Sequence, residues 1–328
     1  MYNYPCREKR TRSIKGRRHN KIRKRRGGFI IRRYFAPFLF LTAVVIVTGC
    51  VRQKCAESIR VMTFNIRLNS PRDGLNQWVN RREFAASMIR FHRADIAGLQ
   101  EALKGQVDDL GALLPEYGWF GVGRDDGREA GEYMAVFYRK DRFQVMEQST
   151  FWLSETPEHV TRGWDAACFR VVTWGRLKDL RTKKILYLFN THFDHLGEIA
   201  RRESARLLLN RVDRTAGSYP VVVTGDFNSP PESEPYQIIT KGLPGKDAAR
   251  LVDTKHRAKY AHHGPRVTFT GFESSYLPDD PPIDYVFIKN GVQVILHGTL
   301  SDAVGGKFPS DHMPVLAEVV VGSSAEAR

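Results

Sequence analysis

The chain has 328 residues and a formal net charge of +15, with 51 Lys and Arg against 36 Asp and Glu. Hydrophobic residues make up 42% of it, which excludes disorder or a fibrous repeat over most of the length. Four cysteines are too few for a disulfide scaffold, and the 279 residues from Cys50 onward suffice for one large domain or two small ones.

The positive charge is concentrated near the N-terminus. Residues 1–34 hold 14 basic residues and one acid, Glu8, and residues 35–49 hold no charged residue. From Cys50 onward, 37 basic residues stand against 35 acidic ones, so the net charge of the body is only +2. The whole chain would suggest a protein that binds nucleic acid or another polyanion, but the body alone does not support that suggestion.

An apolar run follows the basic segment and leads to Cys50. The run from Phe35 to Val47 is 13 residues long, whereas a membrane-spanning helix needs about 20. It predicts an export signal, and the tetrad Val47-Thr48-Gly49-Cys50 resembles a bacterial lipobox, in which the cysteine is lipidated. We therefore expect a cell-envelope lipoprotein that faces the periplasm or the cell surface. An uncleaved, short membrane anchor is the alternative.

Four parts are predicted along the chain: a basic leader and signal over 1–49, a lipidated tether over 50–57, a single domain over 58–321 and a tail over 322–328. Cys6 falls in the leader. Cys55 and Cys168 could pair in an oxidising compartment. We expect the domain to be a monomer.

Apolar periodicity predicts interleaved strands and helices in the domain. Residues 59–66 alternate as a strand, and residues 80–92 predict a helix. Asn80 and Glu83 fit a capping box at the start of that helix, and Phe84, Met88 and Phe91 fall on one face. Further strands are predicted at 94–99, 133–138, 185–190, 220–224, 283–288, 292–296 and 315–321, and a second helix at 198–212. Several strand runs adjoin without a helix between them, which favours an α/β fold with mixed sheets packed face to face and helices outside.

Polar residues stand at the ends of these apolar strand runs. Burial of an unpaired carboxylate is costly, so acids placed repeatedly at strand ends predict a shared cleft and a bound cation. Carboxylates without cysteine or clustered histidine ligands favour Mg²⁺ or Mn²⁺ over zinc. The residues concerned are Asn65, Glu101, His192, Asp226, Asn228, Asp311 and His312, with Asp284 at the start of a strand.

Six motifs occur in order along the domain: TFN at 63–65, LQE at 99–101, NTHFDH at 190–195, GDFN at 225–228, IDYVF at 283–287 and SDHMPV at 310–315. Together they resemble the endonuclease/exonuclease/phosphatase superfamily, which contains DNase I-like nucleases, neutral sphingomyelinases and inositol-phosphate phosphatases. The resemblance covers residues 58–321. It implies a four-layer α/β sandwich with the active site at one end of two packed sheets.

The same resemblance implies roles for the motif residues. Glu101 would be the main metal ligand, with Asn65 and Asp311 completing the metal site. His192 would contact or protonate a phosphate oxygen, and Asp284 would fix the tautomer of His312. Asp226 and Asn228 complete the catalytic set. Either Asp226 or His312 could be the general base, and the sequence leaves that choice open.

Further candidates bear on the substrate. Relatives that act on abasic DNA carry a carboxylate two residues after the first Asn, where this chain has Arg67, which disfavours that substrate. Segments 69–78, 131–139 and 163–170 resemble a bacterial branch of the superfamily. There, substrate-site candidates are Glu132, Trp164, Asp165 and Arg170, together with Arg201 on the following helix.

We therefore expect an exported, membrane-anchored, metal-dependent hydrolase of a phosphodiester or phosphomonoester. The substrate could be a nucleotide or nucleic-acid fragment, a sugar phosphate or a phospholipid head group. A nuclease proper is the alternative, although a body charge of +2 lends it little support. A binding lipoprotein without catalysis is a third reading, disfavoured because all eight motif positions are filled.

Overall fold

The computed structural model describes residues 57–243 and 250–322. The predicted leader, the lipidation site at Cys50 and the tail from residue 323 lie outside the described residues, as does the Cys55 half of the predicted disulfide. Among the described residues, none of the helices has the length and apolar character needed to cross a bilayer.

Twelve strands among the described residues form two six-stranded sheets, each with parallel and antiparallel neighbours. In spatial order, the first sheet contains β11 (Val292–Thr299), β12 (Val315–Val321), β1 (Ile59–Asn65), β2 (Ile96–Gln100), β4 (Val136–Arg139) and β3 (Tyr117–Phe120). The second contains β5 (Phe143–Trp152), β6 (Val171–Asp179), β7 (Ile185–His192), β8 (Val221–Asp226), β10 (Asp284–Lys289) and β9 (Val252–Asp253). The expected architecture of two mixed sheets is confirmed.

Helices cover the outer face of each sheet. Alternate residues of β1 point to opposite faces, so Met62 and Phe64 pack under helices while Ile59 and Val61 pack against the second sheet. Three buried clusters result, one between the sheets and one beneath the helices on either side. The helices are α1 (Arg82–Phe91) and α2 (Lys104–Leu113) on the first sheet, and α3 (Glu198–Ala216) and α4 (Glu234–Lys241) on the second.

A buried polar contact joins the two sheets. Asn190 on β7 accepts a hydrogen bond from Gln100 Nε2 at 2.7 Å and donates to the carbonyl of Leu99 at 2.8 Å. Gly98 makes this close approach feasible, because a Cβ there would lie 2.2 Å from Thr224 Oγ1 and 2.6 Å from Asn190 Oδ1. The sheets are therefore fixed against each other next to the strand ends where the polar motif residues stand.

The structure corrects part of the element prediction. The first helix begins at Arg82, its N-cap is Arg81, and Asn80 donates instead to the carbonyl of Leu75, so the predicted capping box is absent. Phe91 is 75% exposed, and the buried face is formed by Ala85, Ala86, Met88 and Ile89. The periodicity argument also missed six elements: β3, β5, β6, β9, α2 and α4.

Candidate active site

Two pairs of parallel strands end at the same edge of the sandwich. In the first sheet Asn65 of β1 stands opposite Gln100 of β2, and Glu101 follows directly. In the second sheet His192 of β7 stands opposite Asp226 of β8. Polar side chains from both sheets therefore meet at one end of the fold, where open α/β sheets commonly hold their ligands.

Asn65 links the two sheets at the floor of this site. Its amide nitrogen donates to Glu101 Oε1 at 3.0 Å and to Asp226 Oδ2 at 3.0 Å. The backbone N–H of Arg67 donates to the amide oxygen of Asn65 at 3.0 Å, which fixes the orientation of the amide. Asn65 thus holds two carboxylates through its nitrogen, while its oxygen, the atom that a cation would bind, is engaged by the backbone.

Three residues of the site have positive φ angles, which non-glycine residues rarely adopt. The angle is 57° at Arg67, 62° at Glu101 and 46° at Asn228, and each residue follows the end of a strand. A residue in a sparsely populated region of φ and ψ costs about 1–3 kcal/mol, and such residues cluster at functional sites. The fold therefore tolerates local strain where these side chains are placed.

His312 is held from behind by Asp284. Its Nδ1 lies 2.9 Å from Asp284 Oδ2, and its Nε2 lies 3.7 Å from Asp226 Oδ2. Burial lowers the pKa of His312, but Asp284 and Asp226 together outweigh it and raise the pKa well above its ordinary value. The imidazole is therefore protonated on both nitrogens in this arrangement.

The carboxylates of the site differ in acidity. Burial, with repulsion from Asp284, raises the pKa of Asp226 to about 7. Burial also raises the pKa of Asp311, and the nearby Glu101 adds to the shift. Burial alone would raise the pKa of Glu101, but His312 and the hydrogen bonds that Glu101 accepts lower it below its ordinary value. Glu101 is therefore ionised at neutral pH, whereas Asp226 can take up a proton.

His192 is buried and neutral. Burial and the charges of Arg170 and Arg124 lower its pKa well below the ordinary value. Asn228 Nδ2 donates to the carbonyl of Phe193 at 3.0 Å and lies 3.1 Å from His192 Nε2, so that Nε2 accepts and the proton resides on Nδ1. Within the described part of the chain Nδ1 has no hydrogen-bond partner. The ring lines the cavity, and its buried Nδ1 lies 4.0 Å from Glu132 Oε2.

The donor set fits a hard divalent cation. Glu101 and Asp311 are carboxylates with oxygen donors, and the pKa of Asp311 is raised mainly by burial and further by the nearby Glu101, so a bound cation would stabilise its ionised form. Arg67 is held by Asp73 at 3.0 and 3.1 Å and lies 3.8 Å from Glu101 and 3.7 Å from Asp311, so it offsets part of that charge.

A second group of possible ligands lies beneath this one. Asp226, Asp284 and His312 bring one ligand atom each within 4.8 Å of one another. We interpret this group as a hydrogen-bonded set, because His312 Nδ1 lies within hydrogen-bond distance of Asp284 Oδ2, at 2.9 Å, and the raised pKa of His312 keeps that nitrogen protonated. A cation bound there would have to displace that proton.

Above these residues a cavity of about 470 Å³ opens to solvent. One wall carries Arg124, which forms a bidentate pair with Glu132 at 2.6 and 2.8 Å. Arg170 also lines the cavity; its Nε donates to Asp194 at 3.3 Å and its Nη2 donates to His195 Nδ1 at 3.0 Å. Arg170 Nη1 is buried and has no hydrogen-bond partner among the described residues.

The structure brings most of the predicted site residues together. Asn65 and Asp284 contribute to the floor through hydrogen bonds to other members. The cavity itself is lined by Arg67, Glu101, Glu132, Arg170, His192, Asp226, Asn228, Asp311 and His312.

Three predicted substrate residues lie outside the lining of this cavity. Asp165 accepts the backbone N–H groups of Ile199 and Ala200 at 3.2 and 2.6 Å, so it caps the start of α3. Trp164 donates its backbone N–H to Glu155 at 3.2 Å, and Arg201 donates to the carbonyl of Asp194 at 3.0 Å. These contacts give the three residues structural roles in the loops beside the site.

The sequence reasoning missed several lining residues. Arg124 lies eight positions before Glu132 in a charged loop. The closeness of an arginine to a candidate acid in the sequence is the one signal that could have indicated this pair. His195, in the motif NTHFDH, also lines the cavity, whereas its neighbour Asp194 lies behind the lining residue Arg170 and accepts a hydrogen bond from it. Phe269 lines the mouth of the cavity, 48% exposed, and no pattern in its loop marks it.

A buried arginine below the cavity holds the surrounding loops. Arg81 donates to the carbonyls of Ile66 and Arg67, to that of Asn76 at 2.7 Å and to that of Pro309 at 3.1 Å. Burial lowers its pKa to about 10. Backbone carbonyl oxygens thus accept the hydrogen bonds of the Arg81 guanidinium, which forms no salt bridge with an acidic side chain among the described residues. These hydrogen bonds hold the loop that carries Arg67 in place.

Two mixed sheets with buried carboxylate, amide and histidine side chains at one edge define a class of phosphoester hydrolases. The model of the endonuclease/exonuclease/phosphatase family matches residues 62–312, and the chain belongs to this family. The expected family and the expected class of hydrolase are confirmed.

Solved structures of bacterial proteins resemble this chain over nearly all of their lengths. An endonuclease/exonuclease/phosphatase from Bacteroides vulgatus is 41% identical with a TM-score of 0.76, and the match covers 81% of this chain and 100% of that one. A mannosyl-6-phosphatase from Bacteroides thetaiotaomicron is 34% identical with a TM-score of 0.74, and the match covers 80% of this chain and 99% of that one.

Curated relatives are more distant. The Ccr4 exoribonuclease subunit of the CCR4-Not complex from Mycosarcoma maydis is 23% identical over 82% of this chain and 51% of its own length. A protein of Acanthamoeba polyphaga mimivirus is 21% identical over 80% of this chain and 44% of its own. The chain thus spans about half the length of these two relatives.

Proposed function

We propose that this protein is a metal-dependent hydrolase of small phosphate monoesters, with sugar phosphates as the foremost substrate class. One observation carries the proposal. The buried set of Asn65, Glu101, Asp226 and His312 forms the floor of a cavity whose walls are built from arginine–carboxylate pairs. The floor suits a phosphate group, and the walls suit the hydroxyl groups of a small polar molecule.

The hydrolysis needs neutralised phosphate oxygens, an oriented water and a stabilised leaving group. A divalent cation held by Glu101 and Asp311 would supply Lewis-acid charge for the phosphate oxygens. Asp226, with its pKa raised to about 7, is the side chain suited to accept a proton from the attacking water near neutral pH. We therefore assign the base to Asp226 and leave His312 to donate hydrogen bonds to the phosphate.

Two further side chains complete the phosphate environment. The unused Nδ1–H of neutral His192 can donate to a phosphate oxygen without adding charge. Asn228 Nδ2 fixes the tautomer of that ring by donating to its Nε2 side at 3.1 Å. The cavity floor can thus place hydrogen-bond donors around a phosphate before the reaction begins, which is the main source of such catalysis.

The walls favour a sugar over a nucleic-acid strand. Single-stranded nucleic acid is usually bound in a basic groove with several aromatic side chains for base stacking. Here Arg124 and Arg170 are buried and engaged with Glu132 and Asp194, and Phe269 is the one aromatic side chain that lines this cavity among the described residues. The relative named as a mannosyl-6-phosphatase, matched over 99% of its length, supports the same substrate class.

We also propose that the protein is exported and anchored through a lipidated Cys50. The basic leader, the 13-residue apolar run and the lipobox-like tetrad support this proposal. Cys50→Ala should move the protein from the membrane fraction to the soluble fraction of the cells that make it. Retention of the variant in the membrane fraction would show that another segment holds it.

The function is tested by a substrate panel with the purified protein. Mannose 6-phosphate, glucose 6-phosphate, a nucleoside monophosphate, bis-p-nitrophenyl phosphate, single-stranded RNA and sphingomyelin are each assayed with Mg²⁺, with Mn²⁺ and with EDTA. The proposal predicts the highest kcat/KM for a hexose phosphate and no turnover in EDTA. A higher kcat/KM for RNA would contradict the proposal and indicate a nuclease. A higher kcat/KM for bis-p-nitrophenyl phosphate would contradict it and indicate a phosphodiesterase.

A further inference from the structure

Three arginines line the substrate cavity, and they differ in how accessible their side chains are. The side chains of Arg170 and Arg124 are only 4% and 9% exposed, and each forms a salt bridge with a buried acid, Asp194 and Glu132 respectively. The side chain of Arg67 is 30% exposed. Arg67 is therefore the arginine of this cavity whose guanidinium is most accessible to a ligand.

The backbone of Arg67 is fixed by hydrogen bonds on both sides. Its N–H donates to Asn65 Oδ1 at 3.0 Å, and its carbonyl accepts from Arg81 Nη2 and from Gln106 Nε2, each at 2.9 Å. The residue also has a φ of 57°, which is costly outside glycine and is maintained by these contacts. The fold thus sets the position of Arg67 before any ligand binds.

One acid fixes the orientation of the Arg67 guanidinium. Asp73, whose side chain is 8% exposed, accepts from Arg67 Nε at 3.1 Å and from Nη2 at 3.0 Å. This bidentate pair determines the plane of the guanidinium. Arg67 Nη1 takes no part in the pair and lies 3.8 Å from Glu101 Oε2, beyond hydrogen-bond distance. Its N–H groups can therefore donate to an oxygen of a ligand.

The charge of Arg67 is placed among three acids. Besides Asp73 these are Glu101 and Asp311, and Arg67 Nε lies 3.7 Å from Asp311 Oδ2. The hydrogen bonds to Asp73, with the charges of Asp311 and Glu101, raise the pKa of Arg67 against the effect of burial, so the guanidinium stays charged. Arg67 and a divalent cation together would balance the three carboxylates, whereas without Arg67 the same group would carry a negative charge that repels phosphate.

We propose that Arg67 selects phosphate monoesters over phosphodiesters by donating from Nη1 to a non-bridging oxygen of the phosphate. A monoester carries close to two negative charges near neutral pH, whereas a diester carries one. The Coulomb energy is proportional to the product of the charges, so loss of the Arg67 charge weakens monoester binding about twice as much in free energy. The inference rests on the proposed hydrolase function and names the residue that decides the class of ester.

The first experiment measures binding without turnover. NMR titration of nitrogen-15-labelled protein in Mg²⁺ at pH 8 compares inorganic phosphate, mainly a dianion there, with dimethyl phosphate, a monoanion. We expect Arg67→Gln to weaken the binding of inorganic phosphate about a hundredfold and that of dimethyl phosphate about tenfold. Equal losses for the two ligands, with an unchanged melting temperature, would overturn the inference whichever ester the protein hydrolyses.

The second experiment measures the selection during turnover. The ratio of kcat/KM for p-nitrophenyl phosphate to that for bis-p-nitrophenyl phosphate should fall about tenfold in Arg67→Gln. Arg67→Lys keeps the charge but not the bidentate pair with Asp73, and its ratio should stay within about threefold of wild type. A tenfold lower ratio in Arg67→Lys would show that the charge does not select the ester and would overturn the inference. Arg72→Gln, exposed in the same loop, is the matched control and should behave as wild type.

The same ratio separates this inference from the proposed function. If wild type prefers the diester and Arg67→Gln still lowers the ratio tenfold, the proposed function fails and the role of Arg67 stands. If wild type prefers the monoester and Arg67→Gln loses activity equally toward both esters, the proposed function stands and the role of Arg67 fails.

Discussion

Asn65 and Glu101 stand at the ends of the neighbouring parallel strands β1 and β2, and the amide nitrogen of Asn65 donates to Glu101 Oε1 at 3.0 Å. The same nitrogen donates to Asp226 Oδ2 across the interface between the sheets. One neutral side chain therefore sets the distance between the expected metal-binding carboxylate and the expected base. A neutral residue is required here, because a further negative charge would repel both neighbours.

Asn65→Asp tests this relationship with almost no change in shape. The variant loses both donated hydrogen bonds and places a third carboxyl group between Glu101 and Asp226. We expect kcat for the preferred phosphate ester to fall about a hundredfold, comparable to the removal of one positioned donor in other active sites. Asn69→Asp, at an exposed position in the following loop, is the control and should keep its activity. Comparable activity in Asn65→Asp and wild type would disprove the positioning role.

Arg170→Lys tests the wall of the substrate cavity. Lysine keeps the charge, but it cannot reach Asp194 and His195 and also offer a further donor in place of Nη1. The expected result is a KM about tenfold higher for a hexose phosphate, with a smaller change in kcat, measured by steady-state kinetics. Arg206→Lys on the exposed side of α3 is the matched control. An unchanged KM would remove Arg170 from the substrate site.

Arg81→Lys tests the loop support beneath the cavity. The guanidinium donates to four carbonyls and also lies 5.3 Å from the ring of Trp78, and an ammonium group cannot make all of these contacts. We expect the free energy of unfolding to fall by about 2–3 kcal/mol, measured by urea denaturation. The control is Arg82→Lys, whose side chain is 42% exposed. Equal losses in the two variants would mean that the buried network contributes little.

His297 on β11 is buried beside His262, with the Nδ1 atoms of the two rings 2.8 Å apart, and its titration predicts a pH dependence of stability. The pKa of His297 lies near 3 in the folded protein and near 6.5 when unfolded, so the folded state binds fewer protons below pH 6.5. Stability from this group is therefore complete above pH 6.5 and declines as the pH falls toward 3. Between pH 7.5 and 5.5 the expected loss is about 1.4 kcal/mol.

Urea denaturation of wild type and His297→Gln at both pH values measures this loss. The variant lacks the titrating group, so its stability should decline less between the two values. An equal decline in wild type and variant would show that other groups cause the pH dependence.

The sequence located residues that line one cavity better than it predicted the surrounding elements. Motif residues such as Glu101 and Asp226 stand at strand ends, where a change from apolar to polar residues is visible along the chain. Strands β5 and β6 escaped detection because half-exposed and aromatic residues obscure their alternation. The pairing of Arg124 with Glu132 depends on the fold of a loop, which no local period encodes.

The misassigned N-terminus of α1 has a similar cause. Asn80 and Glu83 fit the local capping pattern, yet the chain enters the helix through Arg81, whose side chain donates to carbonyls of the β1–α1 connection and to that of Pro309 before β12. Tertiary contacts of a buried arginine thus override a local capping preference worth about 1 kcal/mol. Local sequence patterns do not predict the role of a residue whose contacts are distant along the chain.

The most direct test of the central claim is the rate of mannose 6-phosphate hydrolysis by wild type and by Glu101→Gln, each with Mg²⁺ and with EDTA. Glutamine keeps the shape of the side chain but removes the charge expected to hold the cation. We predict Mg²⁺-dependent turnover in wild type, a loss of about a hundredfold or more in Glu101→Gln, and an unchanged melting temperature. Glu129→Gln, exposed in the loop beside the cavity, should behave as wild type. Full activity of Glu101→Gln, or equal rates in Mg²⁺ and EDTA, would contradict a metal-dependent hydrolase centred on Glu101.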